Sequence, residues 1–174
     1  MAQSEDVAPE VTDYRSGPTI PLATMTLPSG SLDLRRATLE DLPALVALLA
    51  ALGSTREAVA GSQDLEPYQR AFRAINTDPA QLLVAAAHRD EIVGTLQLSF
   101  IPGLARCGAL RAQIEAVRVH ETYRSKGLGG AMFEWAIAEA RRRGCALVQL
   151  TTDKTRRMLT ASTHASASRP RTKA

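Results

Sequence analysis

Aromatic side chains are scarce in this chain, with one Trp, three Tyr and three Phe among 174 residues. The core must therefore be built from Leu, Val, Ile and Ala, which the apolar fraction of 45% supplies. Only two cysteines are present, Cys107 and Cys145, isolated and without metal-ligand spacing. That pattern argues against a disulfide framework, favours a reduced pair and gives no reason to expect a metal. No apolar run approaches the roughly 20 residues needed to cross a bilayer, and the opening Met1-Ala2-Gln3-Ser4-Glu5-Asp6 is acidic, without the apolar region of a signal peptide. A soluble, cytoplasmic chain with no membrane partner is expected, long enough for one ordinary domain with tails.

Acidic residues are missing from the last 21 positions, where Lys154, Arg156, Arg157, Arg169, Arg171 and Lys173 place six of the 21 basic residues. Without those six, 15 basic residues face 18 acidic ones, so the net charge of +3 becomes −3. The basicity belongs to the tail, and the tail has no interleaved aromatics on which bases could stack. Nucleic acid is not an expected partner.

What is present is a regular alternation of short apolar segments. Residues 1–30 carry Pro9, Pro18, Pro21 and Pro28 without sustained periodicity and are expected to form a disordered leader, with Met25 offering an alternative start. A strand is predicted over Leu32–Ala37. Thr38 then reads as an N-cap with Asp41 three residues on, heading a helix whose stripe is Leu39, Leu42, Leu45, Val46, Leu49 and Leu52. A polar loop, a short helix over Pro67–Asn76 and a hairpin of Gln81–His88 with Ile92–Phe100 follow, turning at Arg89-Asp90-Glu91. Strand Arg111–Val119, a helix over about Gly127–Arg143 and strand Ala146–Thr151 make a βαβ unit with parallel strands. The helix is expected to turn Leu128, Met132, Trp135, Ile137 in part and Ala138 inward and to end at Gly144. The fold class is α/β (α+β) on a mixed central sheet, with a domain over 31–153 and a basic, low-complexity tail over 154–174.

The chemistry-bearing stretch is Val117-Arg118-Val119-His120-Glu121-Thr122-Tyr123-Arg124-Ser125-Lys126-Gly127-Leu128-Gly129-Gly130. A strand that passes through a glycine-rich turn into a helix N-terminus makes an anion seat, because the first backbone N–H groups of a helix lack intrahelical partners. Glycines at 127, 129 and 130 let a phosphate approach that backbone, and Arg124 and Lys126 add formal charge. Of the other polar candidates, His88 and His120 are expected to face solvent, Tyr123 to pack against or cap the turn, and Trp135 and Cys145 to be core.

This order of elements, with Ile114-Glu115-Ala116-Val117-Arg118-Val119 leading into Arg124-Ser125-Lys126-Gly127-Leu128-Gly129-Gly130, resembles the GCN5-related N-acetyltransferase (GNAT) superfamily. Arg124, Gly127 and Gly129 match its pyrophosphate motif, Gln/Arg-x-x-Gly-x-Gly/Ala, and the resemblance covers roughly residues 32–157. It implies acetyl-CoA as cosubstrate, bound by Val117 and Val119 along the pantetheine arm and by Arg124, Ser125, Lys126, Gly127, Leu128, Gly129 and Gly130 at the pyrophosphate. The acceptor would be an amine of a small molecule or a protein, attacking the acetyl group directly with Glu115 as general base, either directly or through a water. A solvated strand carboxylate or a partner for Arg118 is the other reading of Glu115. The homodimer is left open.

After Lys154 the resemblance breaks. The family continues with a helix carrying a Phe-Tyr pair, whose Tyr commonly serves as general acid, then a Leu-Gly-Phe and a closing hairpin. Here residues 158–168 are Ala/Ser/Thr-rich, and the three tyrosines are Tyr14, Tyr68 and Tyr123. With suitable third bases, the codons for 158–168 read one base out of frame give Asp-Ala-His-Arg-Phe-Tyr-Ala-Arg-Leu-Gly-Phe. A frame shift near Arg157 is the expectation, leaving either an acetyltransferase or a truncated relative that at most binds coenzyme A.

Overall fold

The computed structural model describes residues 20–28, 30–51 and 64–150. Among the described residues, six strands form one sheet in sequence order: β1 Ala23–Leu27, β2 Gly30–Arg36, β3 Gln81–His88, β4 Glu91–Pro102, β5 Leu110–Val119 and β6 Leu147–Leu150. Neighbours from β1 to β5 are antiparallel, and β5 pairs with β6 in parallel, as the βαβ pattern predicts. Among the described residues, three helices of two turns or more flank the sheet: α1 Leu42–Ala50, α2 Glu66–Thr77 and α3 Leu128–Arg142. The expected tail lies outside the described residues, as does most of the loop between α1 and α2.

The two sheet faces carry separate cores. Leu82, Val84, Leu96, Leu98, Ala112 and Ile114 face α3, while Ala85, Ala87 and Ile92 face Leu42, Leu45 and Leu48 of α1 and Phe72 of α2. The alternation along β3, where Leu82 and Val84 point one way and Leu83 and Ala85 the other, is the period-2 geometry of a strand buried on both sides.

Two expectations are corrected. The leader was expected to run to residue 30, but Ala23–Leu27 is strand β1, paired with β2 from Ala23 opposite Leu34 to Leu27 opposite Gly30. Its Ala-Thr-Met-Thr-Leu alternation fits a sheet edge, and the flanking Pro21 and Pro28 lie outside the ladder, where a missing N–H costs nothing. In α3 the inward face is Leu128, Met132, Ala136 and Ala140, and Ala138 is exposed. At about 100° per residue, four-residue steps drift slowly round the helix, and position 138 falls far from that stripe. Gly144 does terminate the helix, with φ +76° and its N–H bonded to the Arg141 carbonyl at 2.9 Å.

The junction between β2 and α1 is held by ions. Asp41 accepts from Arg35 Nη1 at 2.6 Å and Nη2 at 2.7 Å, and its Oδ2 also accepts from the Thr38 backbone N–H at 2.8 Å. Burial alone would raise the Asp41 pKa, but the Arg35 and Thr38 hydrogen bonds together outweigh it and hold the carboxyl below its usual range. A group depressed in the folded state stabilises above its unfolded value, roughly 3.9, and loses that contribution as pH falls through the folded value. Asp41→Asn is therefore expected to destabilise the domain by about 3 kcal/mol at pH 7, because it leaves a partly buried guanidinium without its counter-charge. Denaturant melts of both proteins should show that gap narrowing below about pH 4. A gap independent of pH would mean that the charge of Asp41 does not hold the junction.

Candidate cofactor and active site

Strand β5 changes phase partway along. Opposite β4, Glu115 pairs with Gln97 and Arg118 with Thr95, so Ala116 and Val117 together face the single residue Leu96. This is a β-bulge, and Ala116 has φ +52°, a conformation in which a residue with a Cβ is strained. Before the bulge, Ala112 and Ile114 face α3, and after it Val117 and Val119 do. Glu115 shares the opposite face with Gln97, and Ala116 lines a cavity there with Thr95 and Gln97. The bulge is legible in the sequence once looked for, because apolar positions 112, 114, 117 and 119 contain one step of three where a regular strand has steps of two.

Among the described residues, β6 pairs with β5 only over Arg111–Ile114, opposite Leu147–Leu150. From Glu115 onward β5 is not paired by the described part of β6. The Val117 carbonyl accepts from Arg118 Nη1 at 2.9 Å and the Val119 carbonyl from Arg124 Nε at 3.3 Å.

Beyond β5 the chain makes a single helical turn, Glu121–Tyr123, and enters α3. Ser125 has φ +59° and Gly127, the residue capping α3, has φ +87°, so the turn into the helix uses the left-handed region twice. The first α3 backbone bond beyond the cap runs from the Ala131 N–H to the Gly127 carbonyl at 3.0 Å. The N–H groups of Leu128, Gly129 and Gly130 precede it, where a helix offers no partner of its own. A Cβ on Gly129 would touch only Val119 Cγ2, at 3.8 Å, and one on Gly130 would meet nothing within 4 Å. The turn is thus an open cradle of donors, with Arg124, Ser125 and Lys126 exposed beside it. Leu128 is fully buried in the α3 core, so it has only its backbone N–H to offer a ligand.

His88 does not face solvent as expected. It is half-buried, its Nδ1 is 2.5 Å from the Tyr123 hydroxyl and the two rings meet edge to face with centroids 5.9 Å apart. Lys126 Nζ lies 5.6 Å from the centre of the Tyr123 ring. The contact ties the end of β3 to the glycine turn across 35 residues, a separation that no local pattern reveals. His120, at the exit of β5, has its Nδ1 2.8 Å from Thr122 Oγ1 and closes its own turn.

On the α1 and α2 face, Glu115 Oε1 accepts from Ser99 Oγ at 3.2 Å. Ser99 Oγ also lies 2.8 Å from Gln81 Oε1, which accepts from Gln97 Nε2 at 3.1 Å. Sequence reasoning singled out Glu115 and missed this row of Gln81, Gln97 and Ser99. Beside the row is a cavity of about 130 Å³, walled by Leu45, Leu49, Phe72 and Ile75 and floored by Leu83, Thr95, Gln97 and Ala116. Among the described residues no group of three or more His, Cys, Asp or Glu could hold a metal ion, and no helix is long and apolar enough to cross a membrane.

A bulged strand that runs into a glycine cradle, in a mixed sheet with helices on both faces, defines a protein built to seat an anionic, phosphate-bearing ligand at a helix N-terminus. The model of the acetyltransferase (GNAT) family matches residues 47–160, and the chain belongs to that family. A structure titled as a transcriptional regulator from Bacillus halodurans C-125 is 40% identical, with TM-score 0.65 over 72% of this chain and 84% of that one. Glucosamine-6-phosphate N-acetyltransferase from Arabidopsis thaliana is 22% identical, with TM-score 0.62 over 71% of this chain and 84% of its own. A predicted acetyltransferase from Clostridium acetobutylicum, solved with acetyl-CoA, is 20% identical, with TM-score 0.57 over 72% and 84%. No curated protein sequence matches the chain.

Proposed function

We propose that this protein transfers the acetyl group of acetyl-CoA to a primary amine of a small molecule or a protein. The reading rests on the bulge of β5, which puts two different surfaces on one strand. On one face Val119 approaches the glycine cradle, and on the other Glu115 pairs across strands with Gln97, which lines a cavity together with Ala116. A cosubstrate seated along the first and an amine held at the second would meet at the strand.

The open cradle suits a pyrophosphate. The N–H groups of Leu128, Gly129 and Gly130 would bind its oxygens with the positive end of the α3 dipole behind them, and Arg124 and Lys126 would add charge at its rim. The outer edge of Val117 and Val119 would take the pantetheine arm as an added strand, provided that the Arg118 and Arg124 contacts give way. Acetyl-CoA supplies an activated thioester, which the neutral amine attacks directly, releasing coenzyme A as a thiol. Glu115 would take the ammonium proton, directly or through one water, with Ser99 orienting its carboxylate.

Calorimetric titration with acetyl-CoA, combined with thiol release over a panel of primary amines, tests the reading. Saturable binding with amine-dependent thiol release is the expected outcome. Binding without turnover on any amine would favour a second reading, a catalytically impaired relative. Residues 158–168 favour that alternative, since this Ala/Ser/Thr-rich stretch carries no Phe-Tyr pair.

A further inference from the structure

We propose that the acceptor carries a compact apolar group on its amine and that the cavity between α1, α2 and the sheet receives it. This rests on the acetyltransferase reading above and names the substrate class of the same site. The cavity measures about 130 Å³, and none of the described residues lining it is charged. An apolar cavity of about 150 Å³ stays dry and admits a benzene ring, so this one suits a ring or a branched chain of about five or six carbons. Two of its polar side-chain donors are already engaged. Thr95 Oγ1 donates to the Val84 carbonyl at 2.9 Å, and Gln97 Nε2 donates to Gln81 Oε1. Those two donors need no ligand, and the mainly apolar walls would replace little of the hydration that a sugar or a polyamine loses on entry.

The charge lies at the edge. Glu115 pairs across strands with the floor residue Gln97, a separation of about 5 Å between Cβ atoms, and it precedes the floor residue Ala116 in the chain. An ammonium at the Glu115 carboxylate would set the carbon skeleton behind it into the apolar space. One carboxylate beside a neutral, ring-sized cavity is complementary to an arylalkyl or branched alkyl amine. A polycation would need several acids, and the described residues of the cavity lining include none. Ala71, exposed on α2 and part of the lining, marks where the cavity meets solvent.

The test uses 2-phenylethylamine, ethylamine and spermidine. Each is titrated calorimetrically into the full-length protein, with and without coenzyme A, and acetylation is followed by thiol release. Phenylethylamine should bind on the order of 100-fold more tightly than ethylamine, the fold-change expected for burying a ring, and should be preferred over spermidine. Ala71→Trp, which fills the mouth from an exposed helix position, should weaken phenylethylamine binding at least about tenfold and leave acetyl-CoA affinity unchanged, with Ala71→Leu giving a smaller effect in the same direction. Equal affinity for phenylethylamine and ethylamine, a preference for spermidine, or unchanged phenylethylamine binding in a folded Ala71→Trp protein would overturn the proposal. Because the amine is titrated without cofactor as well, a failure of acetyl-CoA to bind would count against the acetyltransferase reading alone.

Discussion

Gly129→Glu is expected to fold with an essentially unchanged melting temperature and to lose acetyl-CoA binding by on the order of 100-fold or more. The two outcomes separate because the position tolerates a side chain but not a charge facing a phosphate. A Cβ there meets Val119 Cγ2 at 3.8 Å, an ordinary van der Waals contact. The residue is also the second of α3, where a carboxylate interacts favourably with the helix dipole, so the folded chain has no reason to resist it. That interaction is the one a pyrophosphate would make, and a glutamate would both occupy the donors and repel the ligand. Gly129→Ala is the control. It adds bulk without charge, and it should stabilise the helix by up to about 1 kcal/mol while weakening binding much less than glutamate does. Two glycines in the first turn of a helix are otherwise a liability, and their presence at 129 and 130 is explained if a ligand must approach that backbone closely. Calorimetric titration with acetyl-CoA and a thermal melt of each variant measure both effects. A folded Gly129→Glu protein with unchanged affinity would remove the pyrophosphate from this turn.

The glycine cradle was legible because it is local: the strand, the turn and the helix start are contiguous, and each has its own chemical signature. The hairpin of β3 and β4, the parallel pairing of β5 with β6 and the stop at Gly144 were legible for the same reason. β1 was missed because prolines bracket a five-residue strand whose stability comes from pairing with β2, and a composition-based reading weights the prolines above the alternation. The inward face of α3 was misplaced at Ala138 because alanine is apolar enough to suit either side, so only the packing against the sheet decides. On the catalytic side, Glu115 stood out as a carboxylate on the right strand, but its surroundings did not. Gln81, Ser99 and Glu115 come together through sheet register, and His88 reaches Tyr123 across the fold. Such contacts between distant segments leave no periodic trace in one sequence. The bulge lies between these cases, since its one-residue slip of phase is written in β5 and becomes meaningful only beside β4.

If Glu115 is the base, Glu115→Gln should lower kcat by about 10²- to 10³-fold and leave the KM for acetyl-CoA near its wild-type value. The amide is isosteric and can still accept from Ser99 at the position of Oε1, so the strand and its neighbours keep their geometry and the loss reports the proton acceptor. The dependence on pH makes the assignment sharper. An alkylamine ionises near pH 10, so without a base the reaction draws only on the small neutral fraction. The kcat/KM of the variant should then climb about tenfold per pH unit up to the pKa of the amine, narrowing the gap to wild type as pH rises. Ser99→Ala removes a contact that positions the carboxylate and leaves the carboxylate itself, so it should reduce kcat by only a few-fold and preserve the shape of the wild-type pH profile. A Glu115→Gln protein that matches wild type across the pH range would make Glu115 no more than the hydrogen-bond partner of Ser99, and the base would then have to be sought elsewhere on the face that carries the cavity.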